Sequence, residues 1–228
     1  LIPEMAASGA DLIEIGIPFS DPIAEGPVIQ AADTRALLAG TTTEKIFEMV
    51  ARVRQKTDVP LAFMTYMNPV YVYGVERFTA KMAACGVDAL IVPDVPFEEK
   101  AELLPSCEKD GVDLISLIAP TSRERIEMIA KEARGFLYCV SSLGVTGVRD
   151  SITTDIGEMI AHVRRVSDIP CAVGFGIAAP AQAAEMGRCS DGVIVGSAIV
   201  KLIAQYGKEC IGPVCSYIRE MKEAVRQV

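Results

Sequence analysis

Short apolar runs alternate along the chain with longer amphipathic, charge-rich stretches. The runs are DLIEIGIP from Asp11, PLAFMTY from Pro60, DALIVPDVP from Asp88, DLISLIAP from Asp113, FLYCVSS from Phe136, PCAVGFGI from Pro170 and GVIVGS from Gly192. Each has the length of a strand and carries Val, Ile or Leu on both faces, the pattern of parallel strands covered on two sides. The stretches between them carry helix signals. In TTTEKIFEMVARVRQK, Ile46, Phe47, Val50 and Val53 fall at helical spacing, and Thr41 with Glu44 has the spacing of a capping box. PTSRERIEMIAKEARG repeats that spacing at Thr121 and Glu124 and ends at Gly135. VERFTAKMAACG and EEKAELLPSCEKDG also end at Gly, and PVIQAADTRALLAG starts on Pro27.

A weak internal repeat reinforces the alternation. SGADLIEIGIP, CGVDALIVPDVP and DGVDLISLIAP share one lead-in to a strand, and TDVPLAF and SDIPCAV share another. Repeated strand–helix units of this kind give an all-parallel α/β fold, as an open doubly wound sheet or a closed barrel. About seven runs stand against the eight or so strands of a closed barrel. The first residues, LIPEMAASG, read as the last turns of a helix with no strand before them. A barrel lacking its first strand and most of its first helices would show this pattern, and residues 1–228 are expected to form a single domain.

Composition narrows the function. Of 228 residues, 50% are hydrophobic and 23% charged, close to ordinary globular usage. No apolar run reaches membrane-span length, and the start shows no signal-peptide pattern. A net charge of −8 without a Lys/Arg block argues against a nucleic-acid partner, while a small anion held by backbone dipoles remains compatible with it. The Cys residues number seven, with no Cys-x-x-Cys pair, and read as reduced residues of a cytoplasmic protein. His162, in GEMIAHVRRV, reads as a helix-face residue, so no metal site is expected.

The run IEIGIPFSDPIAEGP places a carboxylate inside an apolar strand. Alternation puts Glu14 with Leu12 and Gly16 on one face and Ile13, Ile15 and Ile17 on the other. The Ile face packs on helices, so Glu14 points to the interior near the C-terminal end of its strand, where such barrels carry their active sites. Desolvation there would raise its pKa and suit it to give and take a proton near neutrality. Glu25 follows in a loop stiffened by Pro18, Pro22 and Pro27. Asp21 reads equally as a turn-holding residue, and Asp94 as a residue of the catalytic rim or a loop brace. SSLGVTGVRD, GFGIAAPAQAAE and GSAIVKLI follow the late strands, and the last two run through small residues into helices, which favours a phosphate site there. The apolar runs hold no Lys for a Schiff base.

In order and spacing, IEIGIPFSDPIAEGPVIQ, MTYMNPVYVYG, GVDALIVPDVPFEE, SSLGVTGVRD, GFGI and VGSAIVKLI resemble the tryptophan synthase alpha subunit family over nearly the whole chain. The resemblance implies a (β/α)8 TIM barrel. It implies a lyase that cleaves indole-3-glycerol phosphate to indole and glyceraldehyde 3-phosphate by a retro-aldol reaction without metal or cofactor. Glu14 matches the catalytic glutamate. Glu25 stands where many members have the Asp that hydrogen-bonds the indole N–H; the extra methylene keeps the charge and shifts its reach. Tyr138 matches a substrate-site tyrosine and Thr146 the mobile-loop threonine. Ile29, Met64 and Ile91 fall where the family lines the indole pocket. Gly147, Gly176, Gly196 and Ser197 match phosphate-loop positions, with Phe175 beside them. The implied partner is a beta subunit in an alpha-beta-beta-alpha tetramer, docking on PFSDP, MNPVY and the Asp94 loop, with pyridoxal phosphate on the beta subunit. Alternatives are a catalytically weak subunit that activates its partner, and another phosphate-binding barrel such as an isomerase.

Overall fold

Parallel backbone pairing turns the apolar runs into two four-stranded sheets. The computed structural model describes residues 1–140, 156–174 and 176–228. Its contacts divide the chain into two units: Leu1–Ile23 with Gln30–Leu114, and Ala24–Ile29 with Ile115–Val228.

The first unit holds α1 (Ile2–Ala7), β1 (Ile13–Gly16) and most of α2 (Pro27–Leu38). It continues with α3 (Thr43–Arg54), β2 (Leu61–Met64), α4 (Met67–Tyr73), α5 (Val75–Cys85) and β3 (Ala89–Ile91). A 3-10 turn (Phe97–Glu102), α6 (Leu104–Asp110) and β4 (Asp113–Leu114) complete it. Its sheet runs β1-β2-β3-β4. Ile13, Ile15 and Ile17 are buried in one cluster with Phe47 and Val50 of α3 and Phe78 and Met82 of α5. The Phe47 ring lies 5.5 Å from Phe63 and 5.3 Å from Phe78 by centroids, a spacing favourable for edge-on aromatic contact. The Ile face of β1 therefore packs on helices, as its alternation predicts.

The second unit holds β5 (Ser116–Ile118), α7 (Arg123–Glu132), β6 (Leu137–Val140), α8 (Ile156–Arg164), β7 (Cys171–Gly174), α9 (Pro180–Gly187), β8 (Gly192–Val193), α10 (Ser197–Tyr206) and α11 (Ile211–Arg226), and its sheet runs β5-β6-β7-β8. The run DLISLIAP, a single strand by sequence, is two strands here. β4 pairs with β3 and β5 with β6, with Ile115 between them. The two halves bond to different neighbours, and no local pattern encodes that.

Two helix caps lie one residue later than their sequence spacing implies. The hydroxyl of Thr42, not Thr41, accepts from Lys45 N at the start of α3, and Ser122, not Thr121, accepts from Arg125 N at the start of α7. In α3 the carboxylate that would complete the expected box is engaged elsewhere, because Glu44 binds Tyr73 and Lys81. His162 keeps its helix-face role. It is buried on α8, with Glu127 of α7 and Glu158 at 3.9 and 3.6 Å. All seven Cys are free thiols.

The shared TDVP and SDIP lead-ins have a structural basis. Arg54, at the end of α3, donates to the carbonyls of Gly86 (2.6 Å) and Val59 (2.5 Å) and to the Asp88 carboxylate. Asp88 Oδ2 also accepts from Leu61 N at 2.8 Å. Arg164, at the end of α8, donates to the Ile169 carbonyl at 2.9 Å and to Asp191, whose Oδ2 accepts from Cys171 N at 2.7 Å. In both places a helix-end arginine and an aspartate ahead of the neighbouring strand clamp the first residue of a strand. Gly86 is part of the first clamp. Its φ is +83°, and a Cβ there would lie 2.9 Å from Arg54 Nε, so only glycine fits beneath the guanidinium.

Arg54 has 18% side-chain exposure against 36% for Arg164. Arg54→Met is expected to cost about 2–3 kcal/mol, because it strands the Gly86 and Val59 carbonyls together with Asp88. Arg164→Met is expected to cost about half as much, being screened by solvent. Urea unfolding of the two variants checks the order; an equal or reversed order overturns it.

Candidate active site

The first unit sets a row of residues at the C-terminal ends of its strands. In register, Glu14 stands opposite Ala62, Gly16 opposite Met64, and Met64 opposite Ile91. Alternation places Glu14, Gly16, Ala62, Met64, Ala89 and Ile91 on the face away from the Ile13–Phe63–Leu90 core. Glu14 is half-buried there, and Ile91 is fully buried. A Cβ built on Gly16 meets nothing within 4 Å, so the space beside Glu14 is open. One face thus carries a carboxylate, a gap and two large apolar side chains, a combination suited to proton transfer on an apolar ring.

The connections after these strands brace that face. Both carboxylate oxygens of Asp94 accept from Met67 N, at 3.0 and 3.2 Å, tying the loop after β3 to the start of α4. Asp94 is therefore the loop brace. Asp21 accepts from the Ser20 hydroxyl and is exposed, which fits the turn-holding reading. Thr65, just past Met64, is 1% exposed, and its hydroxyl has no hydrogen-bond partner among the described residues. A buried hydroxyl in that state costs stability that an isosteric methyl does not. Thr65→Val is expected to raise stability by about 1 kcal/mol, read from the urea midpoint; a loss of stability would overturn this.

In the second unit, Glu25 is buried at 6% exposure and Ile29 lies in the first turn of α2. Tyr138, at 5% exposure, stands on β6 opposite Ala172 of β7. Its ring leans along the sheet over Gly174, where a Cβ would come within 2.6 Å of both the ring edge and the hydroxyl oxygen. Gly174 thus makes the room that Tyr138 occupies. In sequence Gly174 stands only as a glycine of the GFGI phosphate motif; its packing role depends on a neighbour 36 positions away across a strand pair.

Gly176 follows β7 with φ +93°, and Gly196 is the N-cap of α10, with Ser197 its first residue. The two helix starts differ. The Gln182 side chain accepts from Ala178 N and Ala179 N at 2.9 and 3.0 Å at the start of α9. At the start of α10 no side chain caps the helix, and a Cβ on Gly196 would meet nothing within 4 Å. Open N–H groups at the positive end of a ten-residue helix suit an anion. Thr146, Gly147 and Phe175 lie outside the described residues. Among the described residues no group of His, Cys, Asp and Glu is arranged to hold a metal ion, and no helix is long and apolar enough to cross a membrane.

A family model described as tryptophan synthase alpha chain matches residues 1–226. The tryptophan synthase alpha chain of Lactiplantibacillus plantarum is 50% identical over 222 residues, covering 97% of this chain and 84% of the relative. That of Lacticaseibacillus casei is 45% identical over 221 residues, covering 97% and 83%. Among solved structures, Mycobacterium tuberculosis tryptophan synthase superposes with a TM-score of 0.89 at 35% identity, covering 99% of this chain and 85% of that one. Tryptophan synthase subunit alpha from Legionella pneumophila also gives 0.89, at 34% identity, covering 100% and 86%.

Proposed function

The chain belongs to the tryptophan synthase alpha chain family, and from that premise we propose that Glu14 is the group that moves protons in its reaction. The fold class is the α/β TIM barrel, and the activity is that of a carbon–carbon lyase in tryptophan biosynthesis. The substrate is indole-3-glycerol phosphate, split to indole and glyceraldehyde 3-phosphate. Breaking the bond between the indole ring and the glycerol chain requires a proton on the ring carbon and removal of one from the glycerol hydroxyl. A carboxylate does both in turn. The observation that carries this reading is the row on the inner strand face: Glu14, the open space at Gly16, and the apolar Met64 and Ile91 in register beside it.

The other roles rest on the family resemblance, with local support from geometry. Glu25 is the hydrogen-bond acceptor for the indole N–H, which stabilises the cationic ring formed on protonation. Ile29, Met64, Ile91 and Phe175 line the indole site, and Tyr138 contacts substrate over Gly174. Gly147, Gly176, Gly196 and Ser197 hold the phosphate, and Thr146 belongs to the loop that closes over the site. The uncapped start of α10 supports the phosphate assignment. The chain carries no cofactor of its own and works in the cytoplasm as a single barrel domain. Its partner is a beta subunit bearing pyridoxal phosphate, in an alpha-beta-beta-alpha tetramer. On α4, Tyr71 and Val72 are 72% and 77% exposed, which supports docking on MNPVY and the segment after it.

Indole release from indole-3-glycerol phosphate, with and without a beta subunit, tests the activity. Ser197→Asp tests the phosphate site. A carboxylate at the first position of α10 competes with the phosphate for the same N–H groups, so KM is expected to rise about tenfold or more with kcat largely kept. An unchanged KM would remove the phosphate from this helix.

A further inference from the structure

The structure assigns a second anion site to the first unit, in a cleft of about 490 Å³ lined by Thr42, Thr43, Glu44, Tyr73, Arg77 and Lys81. None of these residues takes part in the reaction described above. The cleft lies where the start of α3 meets the end of α4 and the first turns of α5.

Its charges are arranged unequally. Both oxygens of Glu44 are occupied, one by the Tyr73 hydroxyl at 2.6 Å and the other by Lys81 Nζ at 2.8 Å. Arg77 is placed differently. Its guanidinium sits over the Tyr73 ring, 4.3 Å from the centroid, and among the described residues it forms no ion pair. Stacking on the ring, with one N–H engaging the Tyr73 hydroxyl, holds the planar fork in one orientation and leaves its other N–H groups for a ligand. Beside it is the start of α3. The Thr42 hydroxyl satisfies Lys45 N, while no hydrogen bond to the N–H groups of Thr43 and Glu44 is seen among the described residues. Arg77 and Lys81 against Glu44 leave the cleft one positive charge in excess, on a chain whose net charge is −8.

A fixed guanidinium fork, an ammonium, threonine hydroxyls and helix N–H groups together fit a phosphate group, free or as the monoester of a small organic molecule. The volume exceeds that of bare phosphate and falls in the range of small-metabolite clefts. The ligand bridges α3 and α5 through their side chains and leaves the Glu44–Tyr73 bond in place.

Calorimetric titration with inorganic phosphate tests the site, using the wild-type chain, Arg77→Gln, Ser197→Asp and the double variant. Arg77 is exposed, so its substitution leaves the fold and indole release unchanged. The wild type is expected to show two classes of phosphate binding. Arg77→Gln weakens one about tenfold or more, the loss of a charged bidentate contact. Lys81→Gln weakens the same class less. Ser197→Asp weakens only the other class, and the double variant weakens both. Identical isotherms for the wild type and Arg77→Gln would overturn the cleft site whatever Ser197→Asp does. Loss of only the Arg77-dependent class would leave the cleft standing and count against the α10 assignment.

Discussion

Glu14→Gln is expected to lower indole release by about a thousandfold or more while leaving the unfolding curve nearly unchanged. Glutamine has the length and shape of glutamate, so it fills the same space opposite Ala62 on the inner face of β1. It cannot give and take a proton. If Glu14 handles protons on both the ring carbon and the glycerol hydroxyl, the loss falls on kcat, with KM little changed. The competing account makes Glu14 a structural residue whose charge is balanced inside the sheet. On that account Gln would destabilise the fold and leave the chemistry of the remaining folded molecules intact. Parallel measurements of kcat and urea midpoint separate the two, and a fully active Glu14→Gln variant would end the assignment.

The legible parts of the fold are those written locally. Alternation in IEIGIP was enough to divide Ile13, Ile15 and Ile17 from Glu14 and Gly16, and the buried cluster follows that division. The start of α2 at Pro27 and the end of α5 at Gly86 follow from proline and glycine geometry. What stayed hidden depended on partners distant in sequence. DLISLIAP has the composition of one strand, and only its two different neighbours divide it at Ile115. The caps at Thr42 and Ser122 have Lys45 and Arg125 three positions on, whereas the Thr directly before each has a Glu there, so the local pattern points one residue early and backbone direction decides the cap. The TDVP and SDIP repeat was visible as a pattern. Its cause was not, because Arg54 and Asp88 meet across 34 residues, and Arg164 and Asp191 across 27. In the candidate site, alternation alone singles out Glu14, the family resemblance adds Met64 and Ile91, and register sets the strands that carry them side by side. The packing of Tyr138 on Gly174 and the Arg77 cleft are not legible in the sequence, since each depends on a side chain from another element.

Gly174 carries the second large prediction. A Cβ at this position would lie 2.6 Å from the Tyr138 ring edge and hydroxyl oxygen and 2.8 Å from the ring carbon that bears the hydroxyl, inside any tolerated contact. Gly174 is itself buried in β7, paired opposite Val140 of the strand that carries Tyr138. The strand backbones are held by their ladder, so the tyrosine must swing. Gly174→Ala is therefore expected to cost about 1–3 kcal/mol of stability by overpacking. It should also lower kcat/KM by about a hundredfold, as a displacement of about 1 Å does at a substrate contact. The collision has two members, so removing the second should relieve it. Tyr138→Ala alone loses packing and, on the role proposed for it, a substrate contact. In Gly174→Ala with Tyr138→Ala the new methyl enters vacated space, and the double variant should be more stable than the sum of the single losses by about 1 kcal/mol or more. A double-mutant cycle in urea measures that coupling directly. Strict additivity would mean that Tyr138 does not rest on Gly174, and would remove the physical reason for a glycine at the end of β7.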